Sequence, residues 1–142
     1  WLKRSAGPPS QVHGDMLQAS LRERGNRAFA DGDFDEAERC FARAIENEPD
    51  NALLRSNRSA ALAEQGDHEE ALEEALVCVR LQPDWWKGYV RAAQALFQLQ
   101  DYAQCERYFS EALRRNPDEP TIADGLQRAR QRRRAEEQLQ TQ

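Results

Sequence analysis

Apolar residues recur at helical spacing from about residue 18 to the end of the chain. In one segment these residues are Tyr89, Ala92, Ala93 and Leu96. Steps of three and four residues place side chains on one face of a helix. No stretch alternates β-branched and polar residues as a half-buried strand does, so the pattern predicts an all-α chain. Residues 1–17 contain Gly7, Pro8 and Pro9 and no such period, which predicts a linker or N-terminal tail.

Turn signals interrupt the helical pattern at a constant interval. Gly32-Asp33 recurs as Gly66-Asp67 and, in altered form, as Gln100-Asp101, with a step of 34 residues each time. The same step relates the prolines Pro49, Pro83 and Pro117, and the small residues Ala37, Ala71, Cys105, Ala44, Cys78 and Ala112. A fixed period of this length is typical of helical units that stack on one another to bury their apolar faces.

This pattern resembles the tetratricopeptide repeat (TPR), a helix-turn-helix unit of 34 residues. Small residues stand at position 8 of each unit, namely Gly25, Ser59 and Ala93, and Gln100 departs from the glycine of the family's turn. The three units are residues 18–51, 52–85 and 86–119. The resemblance implies a right-handed superhelix with a concave peptide groove.

A further helix is predicted after the third unit. Pro120 suits the first turn of a helix, and Ile122, Leu126 and Ala129 follow at steps of four and three residues. We expect residues 120–142 to form a capping helix with a basic polar extension. This helix should cover the open end of the third unit.

The TPR resemblance implies that the first helix of each unit lines the concave surface. At about 100° per residue, positions 4, 7, 8 and 11 share the face that packs on the second helix, and positions 2, 5, 6 and 9 share the opposite face. The notable polar residues on this open face are Arg22, Asn26, Asn57, Lys87 and Arg91. Three cations and two carboxamides on one surface predict a groove that binds an anion.

The stretches around these five residues resemble the dicarboxylate-clamp TPR domains of co-chaperones. The match is closest to the first TPR domain of Hop, a chaperone-organising co-chaperone, and covers about residues 18–130. The clamp of that family has Lys or Arg and Asn in repeat one, Asn in repeat two, and Lys and Arg in repeat three. Carried over residue by residue, it falls on Arg22, Asn26, Asn57, Lys87 and Arg91, with no position missing.

The resemblance implies that the ligand is the C-terminal Glu-Glu-Val-Asp tail of cytosolic heat-shock chaperones of the 70 or 90 kDa class. The last residue of that tail carries two carboxylates. Charge-assisted hydrogen bonds to such groups contribute roughly 1.5–3 kcal/mol each, and Asn amides can donate to the same oxygens. We therefore expect a cytoplasmic peptide-binding adaptor that needs no cofactor and is monomeric as an isolated domain.

Apolar residues near the clamp should form the walls of the groove. These residues are Phe29, Ala60, Ala63, Val90 and Phe97. The resemblance implies that such positions select ligand residues upstream of the terminal Asp. For Phe29 and Phe97, packing within their own repeats is an equally good interpretation. The pattern leaves open which chaperone class is bound.

Composition limits the other classes of function. The net charge of −5 and the pI of about 5.1 argue against a general nucleic-acid binder, and no apolar run approaches the roughly 20 residues that cross a membrane. There is no Ser/His/Asp arrangement, glycine-rich phosphate loop or metal-ligand cluster, so we predict no enzymatic activity. The chain begins with Trp1 rather than Met, and we expect it to be a piece of a longer protein.

The cysteines also argue against a metal site. Cys40, Cys78 and Cys105 are odd in number and widely spaced, which fits neither a disulfide framework nor a zinc site. We interpret them as small apolar side chains in a reducing compartment. His13 and His68 are the only histidines, so a histidine-based site is not expected.

Two other interpretations remain open at this point. The groove could hold a non-chaperone subunit within a larger assembly, so that the chain acts as a scaffold. The basic run Arg128, Arg130, Arg132, Arg133 and Arg134 could be a solvated face, or could contact an acidic partner or RNA.

Overall fold

The computed structural model describes the backbone of residues 9–141 and the side chains of residues 14–141. It contains α1 (Pro9–Ala30), α2 (Phe34–Asn47), α3 (Ala52–Glu64), α4 (His68–Leu81), α5 (Trp86–Gln98), α6 (Tyr102–Arg115) and α7 (Pro120–Gln140). These described residues include no strand, which confirms the prediction of an all-α chain. No described helix is both long enough and apolar enough to span a membrane.

The first helix begins earlier than the hydrophobic pattern indicates. Helix α1 starts at Pro9, whereas the sequence pattern turns helical only at about residue 18, and residues 1–8 of the predicted linker or N-terminal tail lie outside the described part. Proline is compatible with the first turn of a helix, and no later residue of this segment blocks the helix. Residues 14–17 are exposed because this part of α1 extends past the end of α2, which Gln18 contacts through the carbonyl of Ala44. Met16 and Leu17 are accordingly exposed.

Each helix packs against its neighbours in the chain, and α5 also contacts α3 and α7. The face of α5 that was predicted to be apolar is buried: Tyr89, Ala92, Ala93 and Leu96 are at most 7% exposed. This face packs with Cys105 and Phe109 of α6. The opposite face of α5 is therefore left to border the space between the odd-numbered helices.

The three turns within the helix pairs share one hydrogen-bonding scheme. The amides of Asp33, Asp67 and Asp101 donate to carbonyls five residues earlier, at 2.8–2.9 Å. The preceding residue in each turn has positive φ, at 81° for Gly32, 85° for Gly66 and 65° for Gln100. Glycine adopts this conformation without the steric cost that a Cβ brings. Gln100 therefore keeps the turn geometry of its glycine equivalents at a conformational cost.

Replacing Gln100 with glycine should stabilise the protein by about 0.5–1 kcal/mol. The substitution removes a left-handed strain of roughly 1–2 kcal/mol, and part of this gain is offset by the greater entropy of glycine in the unfolded chain. Urea unfolding monitored by circular dichroism measures the difference. Gly66→Gln is the reciprocal control and should be destabilising. A Gln100→Gly variant less stable than the original chain would show that this turn is not strained.

Close helix contacts at two glycines fix the ends of the array. A Cβ on Gly25 of α1 would lie 2.6 Å from the ring of Phe41 in α2. A Cβ on Gly125 of α7 would lie 2.5 Å from the ring of Phe109 in α6. Only a residue without a side chain allows the helices to approach these rings so closely. Gly125 thus explains how α7 packs tightly onto α6.

Helix α7 covers the last helix pair, which is formed by α5 and α6. Ile122, Leu126 and Ala129 of α7 are buried in the same core as Phe109.

Polar contacts hold the junction before α5. The carbonyl of Pro83 accepts hydrogen bonds from the hydroxyl of Tyr89 (2.6 Å) and from Nε of Arg115 (2.8 Å). The Arg115 guanidinium also stacks 4.0 Å from the Tyr89 ring centroid. These contacts fix the start of α5, which carries Lys87 and Arg91.

Candidate functional site

Three helices contribute polar side chains to one pocket. Asn26 comes from α1, Asn57 from α3 and Arg91 from α5, and all three line a cavity of about 100 Å³. Its apolar lining is Phe29, Phe41 and Ala60. The chain therefore brings together three of the five residues that the sequence pattern assigned to an anion site.

This pocket is continuous with a larger groove of about 500 Å³. The two share Phe29, Ala60 and Arg91. The groove is further lined by Ala63, Glu64, His68, Gln94 and Gln98. The pocket thus adjoins a larger groove that is bordered mainly by residues of α3 and α5.

Arg91 is the cationic residue that lines the smaller pocket. Its side chain is half-buried, and burial lowers the pKa of its guanidinium from the ordinary value. Within the described residues it makes no ion pair. Its Nε lies 3.4 Å from Oγ of Ser56, and its Nη1 donates to Oε1 of Gln94 at 3.2 Å. A guanidinium stays charged at neutral pH, so this pocket holds a positive charge without a carboxylate.

Other partly buried arginines of the chain are compensated by acids. Arg58 pairs with Glu38 at 2.9 Å and with Glu74 at 2.9 Å, and Arg55 pairs with Glu74 at 3.2 Å. In this cluster the carboxylates offset the cost of burying the guanidinium groups. Arg91 differs from these arginines in making no ion pair among the described residues.

The other two predicted cations lie outside the residues lining the pocket. Arg22 is exposed on α1, one turn before Asn26, and Lys87 lies one turn before Arg91 on α5. The Lys87 Nζ is 5.8 Å from the centroid of the Trp86 ring. Neither makes an ion pair in the described part of the chain. Both side chains are long enough to reach a ligand bound beside their helical neighbours.

The predicted groove walls divide between two locations. Phe29, Ala60 and Ala63 line the groove, whereas Phe97 lines a separate pocket beside it. Val90 is partly buried against the core of the third helix pair and is absent from the lining of both pockets.

Phe29 and Phe97 were each interpreted either as a groove wall or as a side chain that packs within its own repeat, and each of them both packs in this way and borders a cavity. Phe29 packs edge-on against Phe34, with ring centroids 5.2 Å apart, and Phe97 does the same against Tyr102 at 5.3 Å. Each ring therefore closes its own turn and also lines a cavity.

The sequence interpretation missed several polar residues of the groove. Gln94 occupies position 9 of its repeat, as Asn26 does, so the repeat phase could have identified it. Glu64 and Gln98 both stand at position 13, one step beyond the positions considered. His68 reaches the groove from the start of α4, which is a second helix, and the first-helix pattern contains no signal for it.

The cysteines have no role in this site. Cys40, Cys78 and Cys105 are buried as free thiols. Burial raises the pKa of Cys78 to about 11 and that of Cys105 to about 12, so neither is a reactive thiolate at neutral pH. No group of three or more His, Cys, Asp or Glu among the described residues could hold a metal ion.

Comparison with known proteins identifies the family. Two models, each described as tetratricopeptide repeat, match residues 22–84 and 86–119, about two thirds of the chain. The second of these ranges begins at the first residue of α5 and ends just before α7.

Curated relatives share the same region of sequence. "Protein STIP1 homolog" of Dictyostelium discoideum is 38% identical over 77% of this chain and 19% of that protein. "Hsp70-Hsp90 organising protein" of Plasmodium falciparum is 37% identical over 78% of this chain and 44% of that protein. "Heat shock protein STI1" of Saccharomyces cerevisiae is 35% identical over 83% of this chain and 21% of that protein. The chain thus spans less than half the length of these relatives.

Solved structures agree with the same assignment. The first TPR of Spaghetti (RPAP3), bound to the HSP90 peptide SRMEEVD, is 26% identical with a TM-score of 0.78, covering 82% of this chain and 92% of that one. The second TPR domain of human RPAP3, in complex with the HSP70 peptide SGPTIEEVD, is 26% identical with a TM-score of 0.77, covering 82% and 97%. Sequence models, relatives and fold together show that this chain belongs to the tetratricopeptide repeat family.

Proposed function

We propose that the chain is a non-catalytic, co-chaperone-like adaptor that binds the acidic C-terminal tail of a heat-shock chaperone of the 70 or 90 kDa class. The observation that carries this proposal is the half-buried guanidinium of Arg91, which shares a pocket with Asn26 and Asn57 and has no carboxylate partner in the described chain. A ligand carboxylate would supply the missing charge.

The chemistry of the pocket fits the end of a peptide. A C-terminal aspartate presents two carboxylates a few ångströms apart, and Arg91 can bind one of them through two parallel N–H donors. The amides of Asn26 and Asn57 can donate to the same oxygens without adding charge. Arg22 and Lys87 extend from the helical turns beside the pocket and would complete a five-residue clamp.

The peptides bound by the structural relatives match this requirement. Both SRMEEVD and SGPTIEEVD end in Glu-Glu-Val-Asp. Upstream residues of such a peptide would lie along the groove lined by Phe29, Ala60 and Ala63. We further propose that the repeat units are residues 18–51, 52–85 and 86–119, and that the domain acts as a monomer in the cytoplasm.

Titration with the two synthetic peptides tests the function. By isothermal titration calorimetry, both SRMEEVD and SGPTIEEVD should bind with one site per chain. Affinity should fall as salt is raised from about 0.05 to 0.5 M, because part of the attraction is screened. If neither peptide binds at about millimolar concentration, the proposal is refuted.

The alternative of a scaffold for a non-chaperone subunit has its own test. If the groove holds such a subunit, the proteins captured by the immobilised chain should be unchanged by Lys87→Ala. Under our proposal, Lys87→Ala should reduce the amount of purified chaperone that the immobilised chain captures. A chaperone that lacks its last four residues should be captured only at background level, both by the unaltered chain and by Lys87→Ala.

A further inference from the structure

The basic run near the C-terminus is divided between two faces of α7. Nε of Arg130 lies 3.2 Å from Oε1 of Glu106 in α6, and Nε of Arg133 lies 2.6 Å from its Oε2. Arg133 also pairs with Glu137, one turn later, at 2.7 Å. These two arginines are therefore already used to attach α7 to α6.

Arg128 and Arg132 lie on a different face of the same helix. They are four residues apart, which places them on one side of α7, and neither makes an ion pair within residues 14–141. Arg128 lines a pocket of about 110 Å³ together with Phe97 and Gly125. The Arg132 guanidinium carbon is 5.7 Å from the Phe97 ring centroid and 5.8 Å from that of Tyr102.

This second pocket adjoins the groove. Gln94 and Gln98 line both cavities, and Gln94 accepts a hydrogen bond from Arg91. From Arg91 to Phe97 is six residues of helix, or about 9 Å at 1.5 Å per residue. An extended peptide covers that distance in about three residues.

We propose that Arg128 and Arg132 form a second subsite for the same peptide, which binds acidic side chains two or three residues before its C-terminus. The inference rests on the proposed function, since Arg91 must hold the terminal carboxylates. The rings of Phe97 and Tyr102 pack against one guanidinium and leave its N–H edges for a carboxylate. The ligand recognised is therefore an acidic C-terminal peptide rather than any chain with a free carboxyl end.

The test combines a change in the peptide with a change in the protein. SGPTIEEVD should bind the full chain about threefold to tenfold more tightly than SGPTIQQVD, which keeps the terminal Asp but lacks both upstream charges. In the double variant Arg128→Gln/Arg132→Gln the two peptides should bind with similar affinities. Fluorescence anisotropy measures all four combinations.

Arg130→Gln/Arg134→Gln is the control, because it removes the same charge from the same helix at the same spacing on the opposite face, while Arg133 still pairs with Glu106 and attaches α7 to α6. It should preserve the preference for the Glu-Glu peptide. The proposal is overturned if the Arg128/Arg132 variant keeps that preference, or if both double variants reduce it equally. The proposed function would still stand in either case, provided that SGPTIQQVD binds. If neither peptide binds the unaltered chain or the two double variants, both proposals fail.

Two further measurements distinguish a peptide subsite from a nucleic-acid surface on this face of α7. The peptide comparison in the unaltered chain requires no substitution, so equal affinities for the Glu-Glu and Gln-Gln peptides would overturn the subsite even if a variant failed to fold. Binding of single-stranded RNA that is lost in Arg128→Gln/Arg132→Gln, with no change in peptide preference, would assign this face to nucleic acid instead.

Discussion

Replacing Arg91 with methionine should weaken binding of SGPTIEEVD by about tenfold or more. Arg91 is the charged group of the pocket that it shares with Asn26 and Asn57, and no acid in the described chain compensates it. Loss of one charge-assisted hydrogen bond costs about 1.5–3 kcal/mol, and 1.4 kcal/mol corresponds to a factor of ten in the dissociation constant. Calorimetric titration of the two proteins under identical salt measures the ratio.

The same substitution should leave the free energy of unfolding unchanged or slightly higher. Burying a guanidinium without a carboxylate costs free energy in the unliganded protein, and a methionine of similar length avoids that cost. Arg80→Met, at an exposed residue without an ion pair in the described region, is the control and should not change binding. Tight peptide binding by Arg91→Met would show that Arg91 does not hold the ligand.

Replacing Phe41 with alanine should destabilise the protein by about 3–5 kcal/mol. The ring is 1% exposed and lies against Gly25 in a contact that leaves no room for another side chain. Removing it loses the transfer free energy of the ring and leaves a cavity that a glycine neighbour cannot fill. Because domains of this size are stable by about 5–15 kcal/mol, the midpoint of urea unfolding should fall clearly.

Phe34→Ala provides the control for that effect. Phe34 begins the same helix, but its ring is half-buried and packs edge-on against Phe29. Its loss should cost less than half as much as the loss of Phe41, since less apolar area leaves water. Equal destabilisation by the two substitutions would contradict the view that the Gly25–Phe41 contact anchors the first helix pair.

The repeat pattern predicted the parts of the fold that follow from local spacing. The buried face of α5, the turns at Gly32 and Gly66 and the helix that starts at Pro120 could each be predicted from the sequence, because each depends on residues that are close together along the chain. The start of α1 could not, since a helix extending past its neighbour needs no apolar stripe and gives no periodic signal.

The part of the candidate site that could be predicted is the part that depends on which residues share one face of a first helix. Positions 6 and 9 place Asn26, Asn57 and Arg91 at one pocket. The distinction between Arg128 and Arg130 was not predictable, because it depends on how α7 rotates against Glu106 of α6. The packing of Val90 likewise depends on the angle between α5 and its neighbours rather than on spacing along the chain.

The central claim is that the pocket around Arg91 binds the two carboxylates at the end of a peptide. Titration of SGPTIEEVD as the free acid and as the C-terminal amide tests it most directly, because the two ligands differ in a single charged group. The claim predicts that the amide binds about tenfold or more weakly than the acid, and that this difference largely disappears in Arg91→Met. Equal affinities for the acid and the amide would contradict it.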